Sequence, residues 1–238
     1  MMKIISVRER TEEEDKEDLH YIDNSCGDSI AKKYNYAIDL VLREGYEGWI
    51  CFIHDDAVIE TPQDVIDYQL RRAYSRKQRI AGVIGTYNLD YTMHWWYPDR
   101  QVNCVGYIKQ KVLGPDGKPV VPTKVYEMKD WPGYHEGLAT IDGVCMFIHT
   151  DLLKVQRFDE QFKGYHFYDV DYCLQALRRG VGICTVPVTV VHDSAGKLPY
   201  NINELRIPVF RKWADLVNTF PVNKFTKFAP EGYNPDEA

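Results

Sequence analysis

Between Ser29 and Gly45 the apolar residues Ile30, Tyr34, Ala37, Ile38, Val41 and Leu42 recur at the spacing of one helix face, which predicts an amphipathic helix stopped by the glycine. Trp49–Ile53, directly after it, is apolar at every position, as expected of a strand covered on both faces. Ile80–Gly85 repeats that pattern after a helix predicted to open at Thr61-Pro62-Gln63-Asp64, with Thr61 as N-cap and Pro62 at its first position. Upstream, Lys3–Val7 and His20–Asp23 are short strands, separated by an acidic helix from Thr11 to Asp18 in which Thr11 and Glu14 make a capping box. Strand and helix alternate, which predicts an α/β fold with an open, mostly parallel twisted sheet flanked by helices.

The second half of the chain reads differently. Val102–Ile108 and Lys124–Met128 around Pro115-Asp116-Gly117 predict a hairpin, so an antiparallel extension joins the sheet. Leu138–Ile148 is a strand interrupted by Asp142-Gly143, Asp169–Arg179 a helix, Ile183–Val191 a strand and about Asn203–Leu216 a last helix. With no repeat or low-complexity linker, residues 1–238 are expected to form a single domain.

Composition narrows the partners more than the fold. Twenty-nine Lys and Arg against 35 Asp and Glu leave a net charge of −6, which argues against binding driven by nucleic-acid phosphates or anionic lipid. The six cysteines are widely spaced in apolar runs and read as reduced core thiols. The apolar stretch near the start runs straight into Arg8-Glu9-Arg10, and no run is long enough to span a membrane. The expected location is the cytoplasm of a bacterium or of a phage-infected cell.

In an open α/β sheet ligands bind beyond the carboxyl ends of the strands. His54-Asp55-Asp56, Asp169-Val170-Asp171 and His192-Asp193 fall at or near such ends. Singly, each has a plainer role as a strand end or helix cap. Together, carboxylates and an imidazole suit Mn²⁺ or Mg²⁺ carrying a diphosphate, and a separate carboxylate at a helix start suits a general base. Two metals held by His54, Asp55, Asp169 and His192, as in a phosphoesterase, are an alternative.

Four segments in order resemble the GT-A fold glycosyltransferases of the family 2 type, in the branch whose metal motif is His-x-Asp. These are Asp23 with Ser29-Ile30-Ala31-Lys32-Lys33-Tyr34-Asn35; Phe52-Ile53-His54-Asp55-Asp56; Ile141-Asp142-Gly143-Val144-Cys145-Met146; and Phe158-Asp159-Glu160 running to Tyr168-Asp169-Val170-Asp171-Tyr172-Cys173-Leu174 with Arg178 and Gly180. Val191-His192 is similar to the late His of such enzymes.

The resemblance implies a metal-dependent inverting transferase that moves a sugar from a nucleotide sugar, UDP-linked by expectation, to an acceptor hydroxyl. Asp56 and His192 would ligate the metal, His54 and Asp55 would shape the loop and contact the ribose or, through water, the metal, Asp23 and Asn35 would lie on the nucleotide side, and Asp142 would lie near the donor sugar. Asp169 would be the base. Residues 1–100 would form the donor half, 101–200 the acceptor half and 201–238 a helix and tail. Where many members carry Glu before that Asp, this chain carries Tyr168, which leaves Asp171 as the like-charged neighbour. Trp95, Trp96, Trp131 and His135, with Asp171, are acceptor-side candidates, the rings as stacking platforms or as a plug between sheet and hairpin. A glycan, a glycoprotein or a flipped, modified base in phage DNA fits as acceptor, and a non-catalytic binding module is the remaining alternative. Oligomeric state is not legible.

Overall fold

The computed structural model describes residues 2–7, 19–22, 29–96, 103–113, 119–127, 133–193 and 201–220, with side chains for all but 19–22, 110–113 and 119–127. Cys26, Asp23 and Trp131, the acidic helix predicted from Thr11 and the turn at Asp116 lie outside these residues.

A seven-stranded sheet forms the centre. Its strands are β1 (Lys3–Val7), β2 (Leu19–Ile22), β3 (Trp49–Ile53), β5 (Gln78–Gly82), β9 (His135–Glu136), β11 (Cys145–His149) and β12 (Gly182–Thr185), in the order β2-β1-β3-β11-β5-β12-β9. The β2-β1, β1-β3 and β5-β12 pairs are parallel, whereas β11 runs antiparallel to both β3 and β5, and β9 antiparallel to β12. The sheet is therefore mixed, because β11 enters from the far side of the Asp142-Gly143 break.

The second sheet contains β4 (Ala57–Ile59), β6 (Ile84–Thr86), β7 (Cys104–Leu113), β8 (Pro119–Glu127), β10 (Thr140–Ile141) and β13 (Val190–His192). Its order is β10-β6-β7-β13-β4, with β8 on β7 as the predicted hairpin, longer than its apolar cores suggested. Two strands predicted as single runs are shared between the sheets, with Val83 separating β5 from β6 and Val186–Thr189 separating β12 from β13, and the predicted interruption at Asp142-Gly143 separates β10 from β11.

The helices are α1 (Ile30–Arg43), α2 (Gln63–Ser75), the single turn α3 (Thr150–Leu153), α4 (Tyr168–Arg178) and α5 (Ile202–Val217). The Ser29 side chain accepts from the Lys32 amide and caps α1 as the sequence pattern requires. The start of α2 corrects the prediction: Pro62 occupies the cap, and Thr61 Oγ1 instead accepts from Thr189 N at 2.8 Å, tying the helix entry to the loop before β13. Ile38, Val41, Ile50, Phe52, Ile80, Met146, Ile148 and Tyr172 bury one face of the central sheet under α1 and α4. Ile66, Leu70, Cys51, Ala81, Phe147, Ile84 and Val190 fill the opposite side, between α2 and the second sheet. Cys51, Cys104, Cys145, Cys173 and Cys184 are buried free thiols, as predicted.

Candidate functional site

Strand β3 ends in a tight turn, with Ala57 N donating to His54 O at 3.2 Å, so His54 and Asp56 rise from one loop at the carboxyl end of a buried strand. The chain then returns as β4, which pairs with β13 in a register that sets His192 opposite Ala57. Asp193 N donates to Asp56 O at 2.7 Å and locks that register beside the turn. One ligand atom from each of His54, Asp56 and His192 lies within 4.8 Å of the others, with His192 Nε2 at 3.2 Å and His54 Nδ1 at 4.0 Å from Asp56 Oδ1.

The electrostatics suit a cation. Asp56 is held below the usual carboxylate range, first by the hydrogen bond from His192. Burial pushes His54 down, against the opposing field of Asp142, so its imidazole is neutral and able to coordinate. For His192 burial also disfavours the cation, but the bond to Asp56 and the charges of Asp56, Asp142 and Asp193 outweigh it and raise the pKa. Two imidazoles and a carboxylate make a donor set that fits Mn²⁺ better than Mg²⁺, which prefers oxygen ligands.

A second cluster adjoins the first through the break between β10 and β11. His54 N donates to Val144 O at 3.1 Å, and Asp142 Oδ1 accepts from Val144 N at 3.0 Å. Gly143 N donates to Asp169 Oδ2 at 2.8 Å, and Asp169 Oδ1 accepts from Val170 N at 2.9 Å, so the first turn of α4 is fastened to the break. A helix N-terminus and two N–H donors favour the carboxylate anion, yet Asp169 is pushed up to about 7: burial dominates, and the like charge of Asp142 adds to it. The raising neighbour is thus Asp142; Asp171, expected in that role, faces away.

A family model described as "Glycosyltransferase like family" matches residues 10–198. The chain belongs to the glycosyltransferase-like family. No curated protein matches it in sequence. Among solved structures, GalNAc-T7 with UDP, GalNAc and Mn²⁺ superposes with a TM-score of 0.51 at 9% identity, over 84% of this chain and 38% of that one. The crystal structure of A197 from STIV matches with a TM-score of 0.47 at 12% identity, over 82% of this chain and 86% of that chain. The fold is that of the GT-A glycosyltransferases, with mixed sheets flanked by helices.

The predicted residues of this glycosyltransferase-like chain sit in different surroundings. His54 stands with Asp56 and His192 in the candidate ligand cluster. Asp55 is exposed beside it. Asn35 is a structural clamp: its amide donates to Phe158 O at 2.9 Å and Glu160 Oε1 at 2.8 Å and accepts from Phe158 N at 3.0 Å, pinning α1 to the loop before α4. Asp171 is 1% exposed, and its carboxylate receives Trp213 Nε1, Lys212 Nζ and Gln175 Nε2, each at 2.7 Å. It fastens α5 onto α4.

Trp95 is buried with Ile84, Cys104 and Ile108, which makes it the plug between sheet and hairpin. Trp96 is half-buried, with its ring 4.5 Å from His94, whose ring lies 5.2 Å from Phe167, two residues before Asp169. His135 sits on the edge strand β9, four strands from β3, with Nδ1 3.3 Å from the Tyr87 hydroxyl. Tyr168 and Gly143 carry contacts that the sequence pattern did not assign; the one signal is that Tyr168 stands where the resemblance implies Glu.

The Asp171 contacts yield a stability prediction. Replacing Lys212, which also reaches Asp159 at 2.6 Å, by Met leaves a buried carboxylate without its cation and costs about 2–3 kcal/mol in urea unfolding. A loss below about 0.5 kcal/mol would show that Trp213 and Gln175 suffice.

Proposed function

We propose that this chain is a metal-dependent inverting glycosyltransferase that uses a nucleotide sugar, UDP-linked, with Mn²⁺ as the preferred ion. The observation that carries the reading is the convergence of His54, Asp56 and His192 beside a carboxylate whose pKa, about 7, is tuned for proton transfer. A UDP and Mn²⁺ complex of a protein sharing the fold supports the choice of donor and ion.

An ion held by His54, Asp56 and His192 would supply charge neutralisation for a departing diphosphate. Asp56 would hold the ion with its negative charge, and His54 and His192 would supply neutral nitrogen donors, for which His192 would have to be deprotonated. Asp169 receives the acceptor O–H proton as the acceptor oxygen bonds to the anomeric carbon from the face opposite the leaving group. The bond from that carbon to the diphosphate oxygen breaks with its electron pair, so one displacement inverts the centre. Asp142, at the break between metal loop and base, borders the donor sugar. Trp96, with His94 and Phe167, forms the acceptor-side wall leading to Asp169. A two-metal phosphoesterase is less well supported, because among the described residues the candidate ligand atoms close on a single position.

The test is mass spectrometry after incubation with a panel of UDP-sugars, Mn²⁺ and both glycan and hydroxymethylated DNA acceptors. Mn²⁺-dependent release of UDP with addition of one sugar mass to an acceptor is the expected result. No UDP release from any donor, with or without acceptor, contradicts it.

A further inference from the structure

Tyr168 does not touch the ligand cluster through a charge, yet its hydroxyl lies between the cluster and the base helix. Its O–H donates to Gly143 O at 3.0 Å, which leaves the oxygen lone pairs facing His54 Nε2 at 2.8 Å. A phenol carries one proton. With that proton committed to the carbonyl, the His54 contact is a hydrogen bond only if Nε2 is the protonated nitrogen. Nδ1 then keeps its lone pair, and Nδ1 is the atom 4.0 Å from Asp56 Oδ1.

The ring leaves the hydroxyl little freedom. Tyr168 is 5% exposed, with Tyr34 at 5.7 Å and Phe158 at 6.1 Å between ring centroids. Residue 143 has no room for a side chain, since a Cβ there would fall within the Tyr168 hydroxyl. Successive residues of α4 therefore grip the two sides of one residue, Tyr168 at the Gly143 carbonyl and Asp169 at its N–H. An ionised Glu at 168 has no proton to give the carbonyl, whereas a hydroxyl can donate there and accept from His54.

We infer that Tyr168 is a positioning residue for the metal site: it sets the Nε2–H tautomer of His54, presents Nδ1 to the ion and couples the metal loop to the helix that bears Asp169. Such outer partners of a ligating His typically contribute 10–100-fold in metal affinity. The inference rests on the proposed metal site, and its test reads metal binding directly.

Mn²⁺ titrations followed by electron paramagnetic resonance compare the full chain with Tyr168→Phe, His54→Ala and the double variant. Tyr168→Phe is expected to weaken Mn²⁺ binding by about 10–100-fold, and the double variant to bind no more weakly than His54→Ala alone, because Tyr168 acts through His54. Binding by Tyr168→Phe within about twofold of the parent, or fully additive losses, overturns the inference and leaves the metal site standing. A parent chain that binds no Mn²⁺ overturns both. Should Tyr168→Phe fail to fold, long-range ¹H–¹⁵N spectra of the parent decide: His54 protonated at Nε2 supports the assignment, and protonation at Nδ1 refutes it.

Discussion

Asp169→Asn lowers the transfer rate by about 10³-fold, within the usual 10²–10⁴-fold contribution of a positioned base, while the KM for the donor changes little. The amide cannot accept the acceptor's proton, whereas the residues proposed to hold donor and metal are untouched. The pH profile separates this loss from a structural one. With the carboxyl titrating at about 7, the parent rate rises through neutrality and levels above it, because only the ionised form accepts a proton. In the variant that limb disappears. At saturating Mn²⁺, where deprotonation of His192 is not limiting, persistence of a limb near 7, or activity within tenfold of the parent, would remove Asp169 from the base role.

The same shift has a consequence for stability. A carboxyl raised in the folded state binds its proton more tightly there than in the unfolded chain, so its contribution is fully present below about 4 and is lost as pH rises through about 7. The fold is therefore less stable at pH 8 than at pH 6 as far as this group is concerned, which is the cost of burying a base between Gly143 and Val170. The asparagine also turns its NH₂ toward one of those two N–H groups, so melting curves accompany the kinetics.

Asp56→Ala has the second large effect. It removes the one carboxylate among the described residues of the cluster and leaves two imidazoles, at a position 40% exposed in its side chain, where the fold loses little. Mn²⁺ affinity is expected to fall more than ~100-fold, beyond what loss of an outer partner costs, and transfer at micromolar Mn²⁺ to fall with it. High Mn²⁺ should restore part of the rate, since the base is intact. Unchanged Mn²⁺ dependence would place the ion elsewhere.

Much of the frame was legible because hydrophobic pattern dictates it. The unbroken apolar run of β3 located a buried strand and therefore the loop that carries His54 and Asp56, and the apolar face of α1 located its helix. Pairing register was not legible. His192 meets Asp56 only because β13 sits opposite β4 with His192 across from Ala57, and the strand pattern alone fixes neither partner nor offset. Asn35 and Asp171 illustrate a different limit. A polar residue inside a functional motif and a polar residue that clamps two elements look alike in one dimension; the hydrogen bonds to Phe158 and to Lys212 and Trp213 distinguish them. The runs Ile80–Gly85 and Ile183–Val191 read as continuous because the breaks at Val83 and Pro187 change sheets without much change of hydropathy, whereas the polar Asp142-Gly143 marked its own break.

Anomalous diffraction from crystals grown with Mn²⁺ and UDP tests the central claim most directly. One strong peak is predicted within coordination distance of His54 Nδ1, Asp56 Oδ1 and His192 Nε2, with the UDP diphosphate on its open side. Two peaks bridged by Asp169, or no peak at these three side chains in the presence of bound UDP, would contradict it.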